Sequence, residues 1–227
     1  MTLYLVRHGV TVWGEGGRIQ GQSDAPLSER GRKQARAAAR RLKSLSPFDA
    51  LYSSDLGRAA ATAEEISKAL GLPLAFDSRL REIDFGRFEG LEMEEAERLY
   101  PEEFKAWRED PVHNRPPGGE RLEALLSRVS NFVEELRERH PKGRVIAVSH
   151  GGPIRAMVLL ALGLDLESSW RRVYVWWGSI TAIEFPPSGP PLLRLFNDTC
   201  HLEEERGVFA PHGPMGGGHR LRRGHNP

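Results

Sequence analysis

Two histidines in this chain end an apolar run and lead directly into glycine. The first closes Leu3-Tyr4-Leu5-Val6-Arg7-His8-Gly9, and the second closes Arg144-Val145-Ile146-Ala147-Val148-Ser149-His150-Gly151-Gly152. Arg7 offers a planar fork of donors suited to phosphate or carboxylate, and a neutral imidazole beside it can act as nucleophile or base. If the two runs are neighbouring parallel strands, His8 and His150 face each other over one crevice. The amides of Gly151 and Gly152 would then lie at a helix N-terminus, where an anion is favoured. Together these parts make a phosphate site.

The elements that must position these groups follow from the pattern of apolar residues. Ligands of open α/β sheets bind outside the carboxyl ends of the strands, where Arg7, His8 and His150 fall. A glycine-rich stretch from Val10 to Leu27, holding Arg18 and Asp24, reads as a binding loop. Ser28 reads as the N-cap of a helix to about Leu45, with Ala35, Ala38, Ala39 and Leu42 inward. Ala50-Leu51-Tyr52 is a short strand, and Asp55 is expected to cap a helix whose first turn points Arg58 back at the crevice. A strand near Leu74-Ala75-Phe76 leads to Leu80-Arg81-Glu82, then to a pocket-edge mixture of Asp84, Phe85, Gly86, Glu89 and Gly90. Two short helical stretches with Tyr100, Phe104 and Trp107 read as an inserted cap, at about 83–118. A long helix should start at Gly119 and Glu120 and run to about His140, and another should open at Pro153. Val173–Trp177, Ser179–Phe185 and Leu192–Phe196 read as edge strands. The expected fold is α/β, a three-layer sandwich with a mainly parallel central sheet and helices on both faces.

Five ordered blocks resemble the histidine phosphatase superfamily, the phosphoglycerate-mutase-like proteins. They are Arg7-His8-Gly9 with Thr11, Arg18, Gln20-Gly21 and Asp24; Ser53-Ser54-Asp55 with Arg58; Leu80-Arg81-Glu82; Pro117-Gly118-Gly119-Glu120; and Ser149-His150-Gly151. The resemblance spans 1–202, and the short, apolar cap with Pro117-Gly118-Gly119-Glu120 resembles its broad-specificity phosphatase branch. It implies that His8 becomes phosphohistidine, that Arg7, Arg58 and His150 hold the phosphate oxygens, and that Glu82 protonates the leaving alkoxide. Thr11, Gln20, Gly21 and Gly151 would join in binding. Two positions depart from the family pattern: Val10 replaces a usual Glu, and Gly14 a usual Asn that helps hold phosphate. The function implied is a metal-independent phosphomonoester hydrolase with no cofactor. Alternatives are a cofactor-dependent phosphoglycerate mutase and a catalytically dead binding module. Mutases of the family carry a tandem arginine in the cap, and Trp107-Arg108-Glu109 is the nearest match. Asp84 and Glu89 compete with Glu82 as the acid.

Composition narrows the remaining classes. The chain has 227 residues, a formal charge of +1, 39% hydrophobic residues and one cysteine. One α/β domain is expected over 1–202, with a poorly ordered tail from Glu203 to Pro227. A near-zero charge gives no reason to expect nucleic acid, and no apolar run reaches the ~20 residues a membrane span needs. The partner implied is a small phosphomonoester, with room for a homodimer, and the expected location is cytoplasmic. Cys200 and Arg206 have the Cys-x5-Arg spacing of cysteine phosphatases, but three glutamates fill the loop between them. Asn197-Asp198-Thr199 matches a glycosylation sequon by coincidence. His201, His212, His219 and His225 are too irregular for a metal site. His113 and His140 are expected at the surface.

Overall fold

The computed structural model describes residues 1–202; the expected tail, with Arg206, His212, His219 and His225, lies outside them. Among the described residues, six strands form one sheet: β1 (Thr2–Arg7), β2 (Ala50–Ser53), β3 (Leu74–Phe76), β4 (Arg144–Ser149), β5 (Ile180–Glu184) and β6 (Leu192–Asp198), in the order β3-β2-β4-β1-β5-β6. β1, β2, β3 and β4 pair in parallel, and β5 runs antiparallel to both β1 and β6. The central β4 reads Arg-Val-Ile-Ala-Val-Ser and is buried from Val145 to Ser149, as a strand covered on both faces must be.

Helices α2 (Glu29–Ser44) and α3 (Gly57–Leu70) cover one face. Their small residues Ala38, Ala39, Ala59 and Ala63 pack with Val6, Ile146 and Val148. The other face carries α6 (Leu122–Arg139) and α7 (Gly151–Leu162), whose Leu125, Phe132, Ile154 and Val158 share a core with Leu3, Leu5 and Val145. Over this second layer lie α4 (Met93–Leu99) and α5 (Pro101–Glu109), where Phe88, Phe104 and Trp107 meet with ring centroids 5.7–5.9 Å apart. Two one-turn α-helices remain among the described residues, α1 (Val12–Glu15), inside the Val10–Leu27 loop, and α8 (Leu166–Ser169), with two 3-10 helices at Ser78–Leu80 and Gly86–Phe88.

Several expectations are corrected. Val173–Trp177 forms no strand. Its backbone is held by distant side chains instead: the Trp176 amide donates to Asn197 Oδ1 at 2.6 Å, and an Arg7 NH group donates to the Val175 carbonyl. Asp55 does not cap α3; it pairs with Arg81, and Asp24 Oδ2 accepts the Gly57 amide at 2.7 Å instead. α6 starts at Leu122, three residues after Gly119, because the Gly119 and Glu120 amides bond back to Pro116 and Asp84. α7 opens at Gly151, two residues before Pro153, with His150 as its N-cap residue. His140 is half-buried and bonds the Tyr52 hydroxyl at 3.1 Å.

Candidate active site

The parallel register sets Arg7 beside Ser149, so the next residues, His8 and His150, leave adjacent strand ends together. The His8 amide donates to the Ser149 carbonyl at 3.0 Å, and the two imidazole centroids stand 4.9 Å apart. Nδ1 of His8 lies 2.7 Å from the Gly9 carbonyl oxygen, which can only accept. Nδ1 therefore carries the proton, and Nε2 presents a lone pair to the cavity. Burial, then Arg58, then Arg7, hold the His8 pKa well below its ordinary value, so the ring is neutral at pH 7. A buried neutral imidazole fixed in this tautomer has the chemistry of a nucleophile or a base.

His150 is fully buried, and Ser54 organises it. Ser54 Oγ accepts the Leu56 amide at 3.3 Å and lies 2.9 Å from His150 Nε2. Its hydroxyl proton is free to go to Nε2, which leaves Nδ1–H as a donor. That Nδ1 is buried without a partner, and burial, Arg58 and then His8 keep the ring neutral.

Two arginines, Arg58 and Arg7, act most directly on His8. Arg58 is 1% exposed; one NH group donates to the Ser23 carbonyl at 2.9 Å and the other to that of Gly21. Asp24 lies 3.5 Å from it. Arg7 stacks on Trp177, its guanidinium carbon 4.6 Å from the ring centroid. Nε of each arginine is buried and unpartnered. With His150 Nδ1, three orphaned donors therefore belong to the residues whose charges act on His8 or whose ring packs on it, donors of the kind an anion's oxygens accept from.

Glu82 sits in the same cavity wall. Its Oε1 accepts the Ile83 amide at 2.9 Å and the Gly152 amide at 3.0 Å. A Cβ on Gly152 would stand 2.3 Å from that oxygen, so only glycine lets the carboxylate reach the start of α7. The rival acids are occupied elsewhere. Glu89 accepts the amides of Gln22, Ser23 and Phe85, and Asp84 accepts that of Gly86. Both act as clamps for turns.

A family model described as the histidine phosphatase superfamily (branch 1) matches residues 3–199. The chain belongs to that superfamily. Phosphoserine phosphatase 1 of Hydrogenobacter thermophilus is 41% identical over 206 residues, covering 89% of this chain and 94% of the relative. A protein named probable phosphoglycerate mutase GpmB, from Salmonella choleraesuis, is 39% identical over 83% of this chain and 86% of its own. Among solved structures, Bacillus stearothermophilus YhfR superposes with a TM-score of 0.82 at 33% identity, covering 88% of this chain and 98% of the other. A mycobacterial glucosyl-3-phosphoglycerate phosphatase with VO3 gives 0.79 at 34% identity, covering 87% of this chain and 99% of that one.

In this histidine phosphatase, Arg7, His8, Gln20, Gly21, Arg58, Glu82 and Gly151 line one cavity; His150 is not among the lining residues, and its ring lies 4.9 Å from that of His8. Thr11 does not reach it. Its hydroxyl is buried, caps α1 by accepting the Gly14 amide at 2.9 Å, and donates to Gln20 Oε1 at 2.8 Å. A Cβ on Gly14 would stand 3.2 Å from Thr11 Oγ1 and 3.3 Å from both Gln20 Nε2 and the Trp177 ring, so a side chain at this position would press on all three. Sequence reading missed Arg155, Tyr174 and Trp177, which also line the cavity. Arg155, four residues after Gly151, could have been found from helical spacing, which puts both on one face of α7. Arg108 is exposed and is not among the lining residues.

Proposed function

We propose that this enzyme hydrolyses phosphomonoesters through a phosphohistidine on His8. The observation that carries the reading is the His8 tautomer, with Nδ1 spent on Gly9 and Nε2 free amid Arg7, Arg58 and His150. Nε2 attacks phosphorus while the P–O bond to the leaving group breaks. Three fixed donors stabilise the equatorial oxygens as charge moves through the transition state. Glu82, protonated beforehand, gives its proton to the departing oxygen. Water then attacks the phosphohistidine, Glu82 takes its proton, and inorganic phosphate leaves. The charge that the phosphoryl group needs is supplied by side chains, so no step calls for a metal.

Hydrolysis is favoured over mutase action because Arg108, the cap cation nearest the mutase pattern, points to solvent rather than lining the cavity. The relatives named phosphoserine phosphatase and glucosyl-3-phosphoglycerate phosphatase support the same choice. Phosphate release from a panel of phosphomonoesters, with and without EDTA, tests it alongside 3-phosphoglycerate given with a bisphosphate primer. Hydrolysis insensitive to EDTA, with acid-labile label on His8 that is lost in His8→Ala, is the expected result. Efficient phosphoglycerate isomerisation with little hydrolysis would replace hydrolase by mutase.

A further inference from the structure

The strand end that carries His8 runs straight into Gly9, and packing allows nothing larger there: a Cβ on Gly9 would stand 2.2 Å from the Gly31 carbonyl oxygen of α2. This close approach has a consequence for the next bond. Glycine turns about its backbone bonds more freely than any other residue, so the peptide between Gly9 and Val10 is the joint of this segment most able to flip. The His8 ring rests on that peptide. Its carbonyl lies 2.7 Å from Nδ1 and accepts the ring proton. Flipped by half a turn, the peptide would present its N–H to Nδ1 instead. Nδ1 would then have to accept, and the ring proton would move to Nε2, the nitrogen that faces the cavity.

Gln34 stands on the far side of the same peptide. It lies on the inward stripe of α2 with Gly31, Ala35 and Ala38, where a polar side chain is unfavourable unless it is hydrogen-bonded. Only 2% of it is exposed, and its Oε1 accepts the Val10 amide at 2.8 Å. The amide of Gly9 itself goes to Thr62 Oγ1 at 3.2 Å, so the peptide before Gly9 has a separate anchor. In a trans peptide the carbonyl and the N–H point to opposite edges. The bond to Gln34 and the bond from His8 therefore demand the same orientation, and each strengthens the other through the peptide. The stem of Gln34 is wedged in turn: a Cβ on Gly178 would stand 3.1 Å from the Gln34 Cβ, and the Gly178 amide holds the carbonyls of Arg7 and His8.

We propose that Gln34 is a positioning residue that sets the tautomer of His8 through the Gly9–Val10 peptide and so keeps Nε2 bare. The inference deepens the phosphohistidine reading above, because attack on phosphorus requires a bare Nε2, but the tautomer can be read without turnover.

The test is long-range proton–nitrogen correlation spectroscopy on the full chain with ring-labelled histidine at neutral pH, which separates a protonated ring nitrogen from a bare one. The chain has eight histidines, and the His8 signals are those missing from His8→Gln. Wild type should show Nδ1 protonated and Nε2 bare. Gln34→Met keeps the length of the side chain and removes the acceptor. It should populate the tautomer protonated on Nε2 and lower kcat for p-nitrophenyl phosphate by roughly tenfold or more, the scale of one buried amide left without its acceptor, while KM moves much less. Gln34→Glu restores an oxygen at the same reach and should return the wild-type tautomer. A wild-type His8 with its proton on Nε2 overturns the proposal, and so does a Gln34→Met protein with the wild-type tautomer. The same altered tautomer in Gln34→Glu overturns it too, since the effect would then come from packing and not from the acceptor. If Gln34→Met does not fold, Gln34→Leu is read in the same way. Wild-type enzyme that leaves p-nitrophenyl phosphate intact, with the tautomer change present in Gln34→Met, loses only the hydrolase reading.

Discussion

The imidazoles of His8 and His150 stand 4.9 Å apart at 60°, both buried, with the pKa of each held well below its ordinary value mainly by that burial. In the unfolded chain each would take a proton near pH 6.5, whereas the folded protein refuses it. Stability is therefore fully present above about pH 6.5 and falls as pH drops below it, because the unfolded state then binds more protons. Between pH 7 and 5.5 each histidine should cost roughly 1 kcal/mol. Urea unfolding at the two pH values should show His8→Gln losing less stability than wild type over this interval. An identical loss would mean that the native ring takes up its proton.

Activity carries the same shift in another form. In the proposed mechanism protonating His8 removes the nucleophile, so its lowered pKa should keep the acid limb of kcat/KM below the range of a free histidine. After burial, Arg58 is the largest cause of that lowering. Arg58→Met should slow the reaction by roughly 10²-fold or more through loss of phosphate contacts, and also move the acid limb upward. A slower variant with an unmoved limb would assign Arg58 to binding alone.

Glu82 should matter in proportion to how badly the leaving group needs a proton. Glu82→Gln should lower phosphorylation of His8 by an alkyl phosphate by roughly 10²-fold or more, and by p-nitrophenyl phosphate much less. Single-turnover measurement is needed, because the lost base also slows dephosphorylation. Equal loss with both substrates, or the same leaving-group dependence in Asp84→Asn, would move the acid to another residue.

Gly152→Ala probes the glycine that receives that carboxylate. The added Cβ would fall 2.3 Å from Glu82 Oε1, so the carboxylate must swing away or the helix start must shift. We expect the alkyl phosphate rate to fall as in Glu82→Gln, while the protein stays folded, since a terminal carboxylate can move aside. Wild-type rates in Gly152→Ala would show that the Gly152 amide does not position Glu82.

The sequence alone determined the strand ends that bear Arg7, His8 and His150, the α/β class and the ordered family blocks. Each is local: an apolar β-branched run, a glycine after a histidine, an apolar face at helical spacing. Where local signals conflicted, the tertiary structure decided. Val173–Trp177 has strand composition but forms no strand, because Arg7 and Asn197, far away in the chain, take its backbone groups. Glu82, Asp84 and Glu89 are similar in type and neighbourhood, yet two of them clamp turns and one opens on the cavity, a distinction made by which amides lie opposite. Arg155 was hidden for the same reason. Whether a lone cation in an apolar helix reaches solvent or lies buried against Trp170 depends on what packs around it, and that packing comes from Trp170 beyond the helix and from Tyr174 in the segment that follows.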